Sequence, residues 1–283
     1  MKYWKKAVSC ALAGVMAALS LASCGGNGDK EYLTLEEDLG SEVYAIGFRV
    51  DDVALAQEVQ RILDEMVEDG TAAEISEKWF GTNLIINDQP YPVEKEPAAD
   101  DTSLEDLKAR GEFIVGLDDS FPPMGFMNEE NEIVGVDIDL AAEVCERMGV
   151  TLKVQPINWD AKEMELNNGN IDCIWNGMTV TEERMEAMYL SKPYLNNRQV
   201  VIVEKGSGIE SLDDLEGKTV GLQKGSSAEQ ALADSRIADK VGSVQTYDEN
   251  VTAFMDLQNG RIDAFLVDEV AGNYIVANQG NVQ

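Results

Sequence analysis

From residue 113 onward, short apolar runs alternate with amphipathic stretches, and this alternation restricts the fold more than any other feature of the chain. Strands are expected at Phe113 to Leu117, Leu152 to Val154, Ile171 to Trp175, Gln199 to Val203, Thr219 to Leu222, Val244 to Tyr247 and Ala264 to Val267. Helical patterns fall between them, from Asp139 to Met148, from Thr181, from Ser227, near Val251 to Gln258 and from Asp268. Such alternation predicts the α/β class, with open, mainly parallel sheets flanked by helices. Two internal echoes divide it. Ser103-Leu104-Glu105-Asp106-Leu107 resembles Ser211-Leu212-Asp213-Asp214-Leu215, and Leu166-Asn167-Asn168-Gly169-Asn170-Ile171-Asp172 resembles Leu257-Gln258-Asn259-Gly260-Arg261-Ile262-Asp263. Each reads as a turn that feeds a strand, so two similar lobes are expected. The offsets, 211 − 103 = 108 and 257 − 166 = 91, differ too much for a strict repeat.

The earlier part of the chain has a different order. Tyr32 to Leu35 and Val43 to Phe48 alternate like strands. Asp52 to Asp69 carries Val59, Ile62, Leu63 and Met66 at i, i+3, i+4 and i+7, one helical stripe ended by Gly70. A short helix from Ala72 to Phe80 puts Ile75 and Trp79 on one face. Asn87 to Thr102 contains Pro90, Pro92, Pro97 and several acids without an apolar period, and reads as a linker.

Residues 1–23 read as an export signal. Lys2, Lys5 and Lys6 precede an uncharged run from Ala7 to Ser23, and small residues follow. The ending Leu21-Ala22-Ser23-Cys24 resembles the bacterial lipobox, in which the Cys is lipidated and becomes the mature N-terminus. An extracytoplasmic protein anchored to the cell membrane through Cys24 is expected, tethered by residues 24–29. Cys145 and Cys173 then remain, in a helical pattern and an apolar strand, and read as two buried thiols rather than a disulfide.

Composition removes several functions. The chain has no histidine, which excludes Ser-His-Asp and Cys-His pairs and histidine metal ligands. Its 22 basic and 53 acidic side chains give a net charge of −31. Without the signal the balance is 19 − 53 = −34 over 283 − 23 = 260 residues. Nucleic acid is not an expected partner, because binding it requires a basic face that displaces counterions. No cofactor or metal is expected.

Ligands of open α/β sheets sit beyond the carboxyl ends of the strands. Asp118 and Phe121 follow the first strand of the alternating region there, and Trp159 follows the next. Asn176, Gly177 and Thr179 come after Trp175, ahead of a helix that carries Arg184. In the second half, Gln223, Ser226 and Ser227 occupy a loop at a helix start, and Asp268 ends a strand. Each has an ordinary explanation: a solvated ion pair for Arg184, helix caps for Thr179, Ser226, Ser227, Asp118 and Asp268, as for Thr181 at the start of the Arg184 helix, and core packing for Phe121 and Trp159. Together they describe a site for a zwitterion. An Arg fork with free N–H groups at a helix start suits a carboxylate, a strand-end carboxylate suits an ammonium, and aromatic rings suit an aliphatic side chain.

Phe113 to Phe126, Gly135 to Leu140, Asn176 to Arg184 and Ser191 to Tyr194 resemble, in order and spacing, the extracytoplasmic polar amino-acid-binding proteins of ABC importers. These are relatives of the glutamine- and lysine/arginine/ornithine-binding proteins. The resemblance implies a two-lobed, type II periplasmic-binding-protein-like fold. It implies that Arg184 and the amides at Thr179 and Ser227 hold a carboxylate, with Ser226 beside them. Asp268 and the Gly177 carbonyl would hold the ammonium, Phe121 and Trp159 would flank the side chain, and Asp118, Asn176 and Gln223 would face its distal end. The implied ligand is a free polar or basic L-amino acid, cystine included, and the implied partner is the membrane subunits of an ABC importer, served by a monomer. Alternatives are an enzyme on the same fold, such as a dehydratase or lytic transglycosylase, and a sensory ligand-binding module.

One departure concerns order. Stretches like Glu37 to Arg49 and Asp69 to Gly81 form the carboxyl end in that family, whereas here they come first. The chain is therefore expected to be circularly permuted. Residues 30–40 would complete lobe 2, 41–86 would belong to lobe 1, 87–102 would link, and 103–195 and 196–283 would form the bulk of lobes 1 and 2. Tyr32 to Leu39 should then pair into lobe 2 near Gln283 and cross to lobe 1 at Gly40 to Ala45.

Overall fold

The computed structural model describes residues 30–278. The expected signal, tether and lipidated Cys24, and the expected closeness of Asp29 to Gln283, lie outside the described residues. In chain order the elements are β1 (Tyr32–Phe48), α1 (Val53–Asp69), α2 (Thr71–Phe80), α3 (Ser103–Arg110), β2 (Glu112–Leu117), β3 (Ser120–Phe121), β4 (Gly125–Met127), β5 (Ile133–Val134), α4 (Val136–Met148), β6 (Thr151–Pro156), α5 (Lys162–Asn167) and β7 (Cys173–Thr179). Then come α6 (Glu182–Ala187), β8 (Tyr189–Leu190), β9 (Leu195–Glu204), β10 (Thr219–Gln223), α7 (Ser227–Asp234), β11 (Ser243–Tyr247), α8 (Asn250–Gln258), β12 (Ala264–Asp268) and α9 (Glu269–Asn278).

The main sheet runs β11-β10-β12-β9-β1-β7-β2-β6. Its outer parts are parallel, β2 with β6 and β7 on one side and β10 with β11 and β12 on the other. These two half-sheets, each with its helices, make two lobes of an α/β fold. β1 joins them. It pairs antiparallel with β9 from Tyr32↔Glu204 to Tyr44↔Leu195, and with β7 from Tyr44↔Thr179 to Phe48↔Cys173. The two expected strands are thus one, with irregular register between Thr34 and Asp38 and between Asp38 and Ser41. No alternation marks that middle stretch because it crosses the rim, where neither face is fully covered.

The apolar stripe of α1 faces inward, with Val59, Ile62, Leu63 and Met66 all buried. Each buried side chain of this kind stabilises the fold by roughly 1.5–3 kcal/mol. The first turn of α1 draws its cap from the far end of the linker. Asp52 supplies no side-chain cap, and instead Ala54 N–H donates to Asp101 Oδ2 at 2.8 Å and Leu55 N–H to Ser103 Oγ at 3.2 Å. Residues 87–102 contain no helix or strand, and the Lys95 ammonium ties them back to the Val50 carbonyl at 2.7 Å.

Three local expectations change. The first echo, Ser103 to Leu107, opens helix α3 rather than a turn, because Leu107 buries one helical face against the core. α4 starts at Val136, ahead of Asp139. Gly135, at φ 149°, permits this, since a Cβ there would lie 2.2 Å from the Met124 carbonyl oxygen. β7 continues through Asn176 to Thr179, every residue buried. Cys145 and Cys173 are buried free thiols.

Candidate functional site

Strand ends from both half-sheets meet where β1 and β9 cross. Asp118, Phe121, Trp159, Asn176, Arg184, Gln223, Ser226, Ser227 and Asp268 line one cavity of about 10 Å³. That is room for about one water-sized sphere, so opposing side chains touch across the seam.

Arg184 forms one wall. Thr181 starts α6 by accepting from the Arg184 N–H, and this cap fixes where the guanidinium emerges. The side chain is 6% exposed. It lies 5.9 Å from the Trp159 ring centroid and donates to the Thr179 carbonyl at 2.8 Å and the Gly225 carbonyl at 3.4 Å. Among the described residues it has no ion-pair partner. Burial pulls its pKa below the ordinary arginine range, and the charges of Glu163, Glu42 and Asp268 oppose that. A buried cation bonded only to carbonyls is costly and is relieved by a bidentate anion.

Asp268 forms the facing wall. Its Oδ1 accepts from the Tyr44 hydroxyl at 2.8 Å, Asn197 Nδ2 at 2.8 Å and Gln199 Nε2 at 3.0 Å. No cation pairs with it among the described residues. Burial, and next the charge of Glu42, raise its carboxyl well above the usual range. Gln199 also donates to Glu42 and to Ser227 Oγ, which contacts Thr179 Oγ1 at 3.0 Å, while Gln199 Oε1 is buried without a partner.

At the distal end, Asp118 Oδ1 accepts from the Ser120 N–H and hydroxyl, and Oδ2 from Gln223 Nε2 of the opposite half-sheet. Burial raises this carboxyl too. Asn176 Oδ1 accepts from the Asp118 N–H at 3.0 Å, which leaves Asn176 Nδ2 as a buried donor without a partner. Among the described residues no group of Cys, Asp and Glu side chains is placed to hold a metal ion.

Residues 113–264 match the sequence profile of the bacterial extracellular solute-binding proteins, family 3. The chain belongs to this family. Among similar proteins, the L-cystine-binding protein TcyJ of Escherichia coli (strain K12) is 34% identical over 175 residues, which are 61% of this chain and 65% of that protein. The ABC transporter arginine-binding protein 1 of the same organism is 33% identical over 158 residues, 56% of this chain and 63% of that protein. The chain thus spans just under two thirds of the curated relatives' length. Among solved structures, an ABC uptake transporter substrate-binding protein from Streptococcus pneumoniae with bound histidine superposes with a TM-score of 0.62 at 39% identity. It covers 65% of this chain and 76% of that one.

Of the site residues expected from sequence, this family 3 protein brings nine onto the cavity. Gly177 and Thr179 stand one step behind it. The Gly177 N–H donates to Asp137 at 2.7 Å, and the Thr179 carbonyl accepts from Arg184. The sequence reading missed Glu42, Tyr44, Asp137, Lys162, Asn197 and Gln199. Asn197 and Gln199 left a trace, since they directly precede the apolar run Val200 to Val203 and their alternate positions place two amides on one face of β9.

Proposed function

We propose that this chain is the substrate-binding lipoprotein of an amino-acid ABC importer and that it closes its lobes on a free L-amino acid. The observation that carries the reading is that two buried ionisable groups without a counter-ion line one cavity, the Arg184 guanidinium on one wall and the Asp268 carboxyl on the other. A zwitterion satisfies both. Its carboxylate would meet Arg184 and the amides near Ser227, and its ammonium would meet Asp268 and Gln199 Oε1. The distal end offers an acceptor, Asp118, beside a free donor, Asn176 Nδ2. This favours a basic or amide-bearing side chain, or the second head group of cystine, and is in line with the named ligands of the relatives. Because the cavity is smaller than any amino acid, entry requires the lobes to separate, and the ligand stabilises closure by bridging them.

We also propose that residues 1–23 are a signal, that Cys24 carries the lipid, and that residues 30–86 are the family's carboxyl end moved to the front. The register of β1 supports the last point, since Tyr32 to Asp38 pair with β9 and Gly47 and Phe48 with β7. So does the length of the match, because a collinear comparison captures only an unpermuted block, and the 283 − 103 + 1 = 181 residues after the linker can hold the 175 aligned with TcyJ.

Isothermal titration against L-arginine, L-lysine, L-histidine, L-glutamine, L-citrulline and L-cystine tests the function. At least one should bind and raise the melting temperature, while its carboxamide and N-acetyl derivatives should not. Absence of binding by every free amino acid would overturn it.

A further inference from the structure

Lys162 is 4% exposed although it opens a helix next to solvent-facing Asp160. Its ammonium lies 5.0 Å from the Trp159 ring centroid, on the same indole that Arg184 approaches at 5.9 Å. It donates to the Trp159 carbonyl at 3.3 Å and, across the seam, to the Gly225 carbonyl at 3.0 Å. Gly225 belongs to the opposite half-sheet, between β10 and α7, and its carbonyl also receives Arg184. The nearest carboxylate is Glu163, 3.4 Å away and partly solvated.

Two cations of one lobe thus hold one carbonyl of the other. Both favour that carbonyl, yet they oppose each other: burial first, and then the charge of Arg184, disfavour the Lys162 charge. An anion on Arg184 removes this conflict. We propose that Lys162 is a positioning residue for closure, a latch to the Gly225 carbonyl that becomes fully favourable once a ligand carboxylate neutralises Arg184. This rests on Arg184 as the carboxylate site and extends it, because Lys162 need not touch the ligand. A ligand lacking the carboxylate would leave two like charges pressed against one ring and one carbonyl.

The position of the contact assigns it to release rather than capture. Removing one partner of a buried, hydrogen-bonded charge raises the dissociation rate, whereas rim charges act mainly on association. The neighbouring Lys224–Asp160 pair, at 2.7 Å and about half exposed on both sides, is such a rim contact and serves as a control.

The test is stopped-flow binding of L-arginine and of L-cystine to wild type, Lys162→Met, Lys162→Gln, Lys162→Arg and Lys224→Ala. Expected are dissociation rates raised about tenfold in both neutral Lys162 variants with association rates unchanged, recovery to within about threefold in Lys162→Arg, and little change in dissociation for Lys224→Ala. Ligand-free melting temperatures report whether each variant is folded. If wild type binds and the folded neutral variants release ligand at the wild-type rate, the latch is wrong and the amino-acid reading stands. Where neither probe binds, the same variants are measured with whichever of the six titrated amino acids does, and if wild type binds none of the six, both fall.

Discussion

The Tyr44 hydroxyl donates to Asp268 Oδ1 at 2.8 Å across 224 residues of chain. A strand near the start of the described residues therefore helps to build the anionic wall of a site whose lining residues lie between Asp118 and Asp268. Tyr44→Phe keeps the buried ring and deletes one of three donors to that carboxylate. Ligand affinity should fall about three- to tenfold, since a single bond to a charged group is being lost while Asn197 and Gln199 remain. Titration calorimetry on the variant measures it, and unchanged affinity would mean that Asp268 does not depend on Tyr44.

Arg184→Met should separate binding from stability. Two charge-assisted bonds to a ligand carboxylate at about 1.5–3 kcal/mol each predict a loss of affinity of at least about a hundredfold. The ligand-free protein should melt no lower than wild type, because the variant replaces a buried, unpaired cation with an apolar chain of similar length. A large fall in melting temperature would instead make Arg184 a structural residue.

Acidification should weaken binding through Asp268. Burial and Glu42 raise its carboxyl in the free protein, and an ammonium placed beside it would lower it again. Between those two values binding releases a proton, so affinity rises with pH through this window and is flat above it. Calorimetry in buffers of different ionisation enthalpy reads the released proton. Asp118 is also raised by burial, so Asp118→Asn is needed alongside. Proton release that persists in Asp118→Asn belongs to Asp268.

The patterns that local chemistry writes into the sequence were legible. The α1 stripe, the glycine at its end and the Thr181 cap depend on neighbours within a turn or two, and the structure has them as read. Arg184, Asp268 and Gln223 were identifiable as candidates because strand ends, and the helix starts that follow them, collect ligand groups whatever the detail of packing. Tyr44, Glu42 and Lys162 were not, since each acts through a partner far away in the chain and looks alone like a strand tyrosine, a rim acid and a surface lysine. The six-residue helix α5 also escaped, being too short for a period to show.

Asp137 should tie stability to pH. It is fully buried and accepts from the Gly177 N–H at 2.7 Å and the Tyr194 hydroxyl at 2.9 Å, yet burial dominates and moves its carboxyl from 3.8 up to about 7. Below 3.8 the folded and unfolded states are both protonated at this group. Between 3.8 and about 7 only the folded state keeps the proton, so stability falls as pH rises, by at most about 1.4 kcal/mol per unit, and levels off above. Urea unfolding of wild type and Asp137→Asn across this range checks it. Their difference should vary with pH up to about 7 and be constant beyond.

Moving residues 30–86 behind residue 283 tests the proposed permutation. In a rearranged chain, residues 30–86 would follow residue 283 and the mature protein would begin near Thr102. If β1 contributes by pairing alone, this chain should keep ligand preference and affinity, because the contacts of Tyr44 and Glu42 with Asp268, Asn197 and Gln199 depend on register and not on connectivity. Stability should change by little more than loop-closure entropy, on the order of 1 kcal/mol, as one connection is cut and another made. The cut also frees the Asp101 and Ser103 cap from the linker that delivers it to α1, so any loss should appear first as weaker amide protection at Ala54 and Leu55. A rearranged chain that folds but binds a different amino acid would show that the order of segments, and not the assembled cleft, sets specificity.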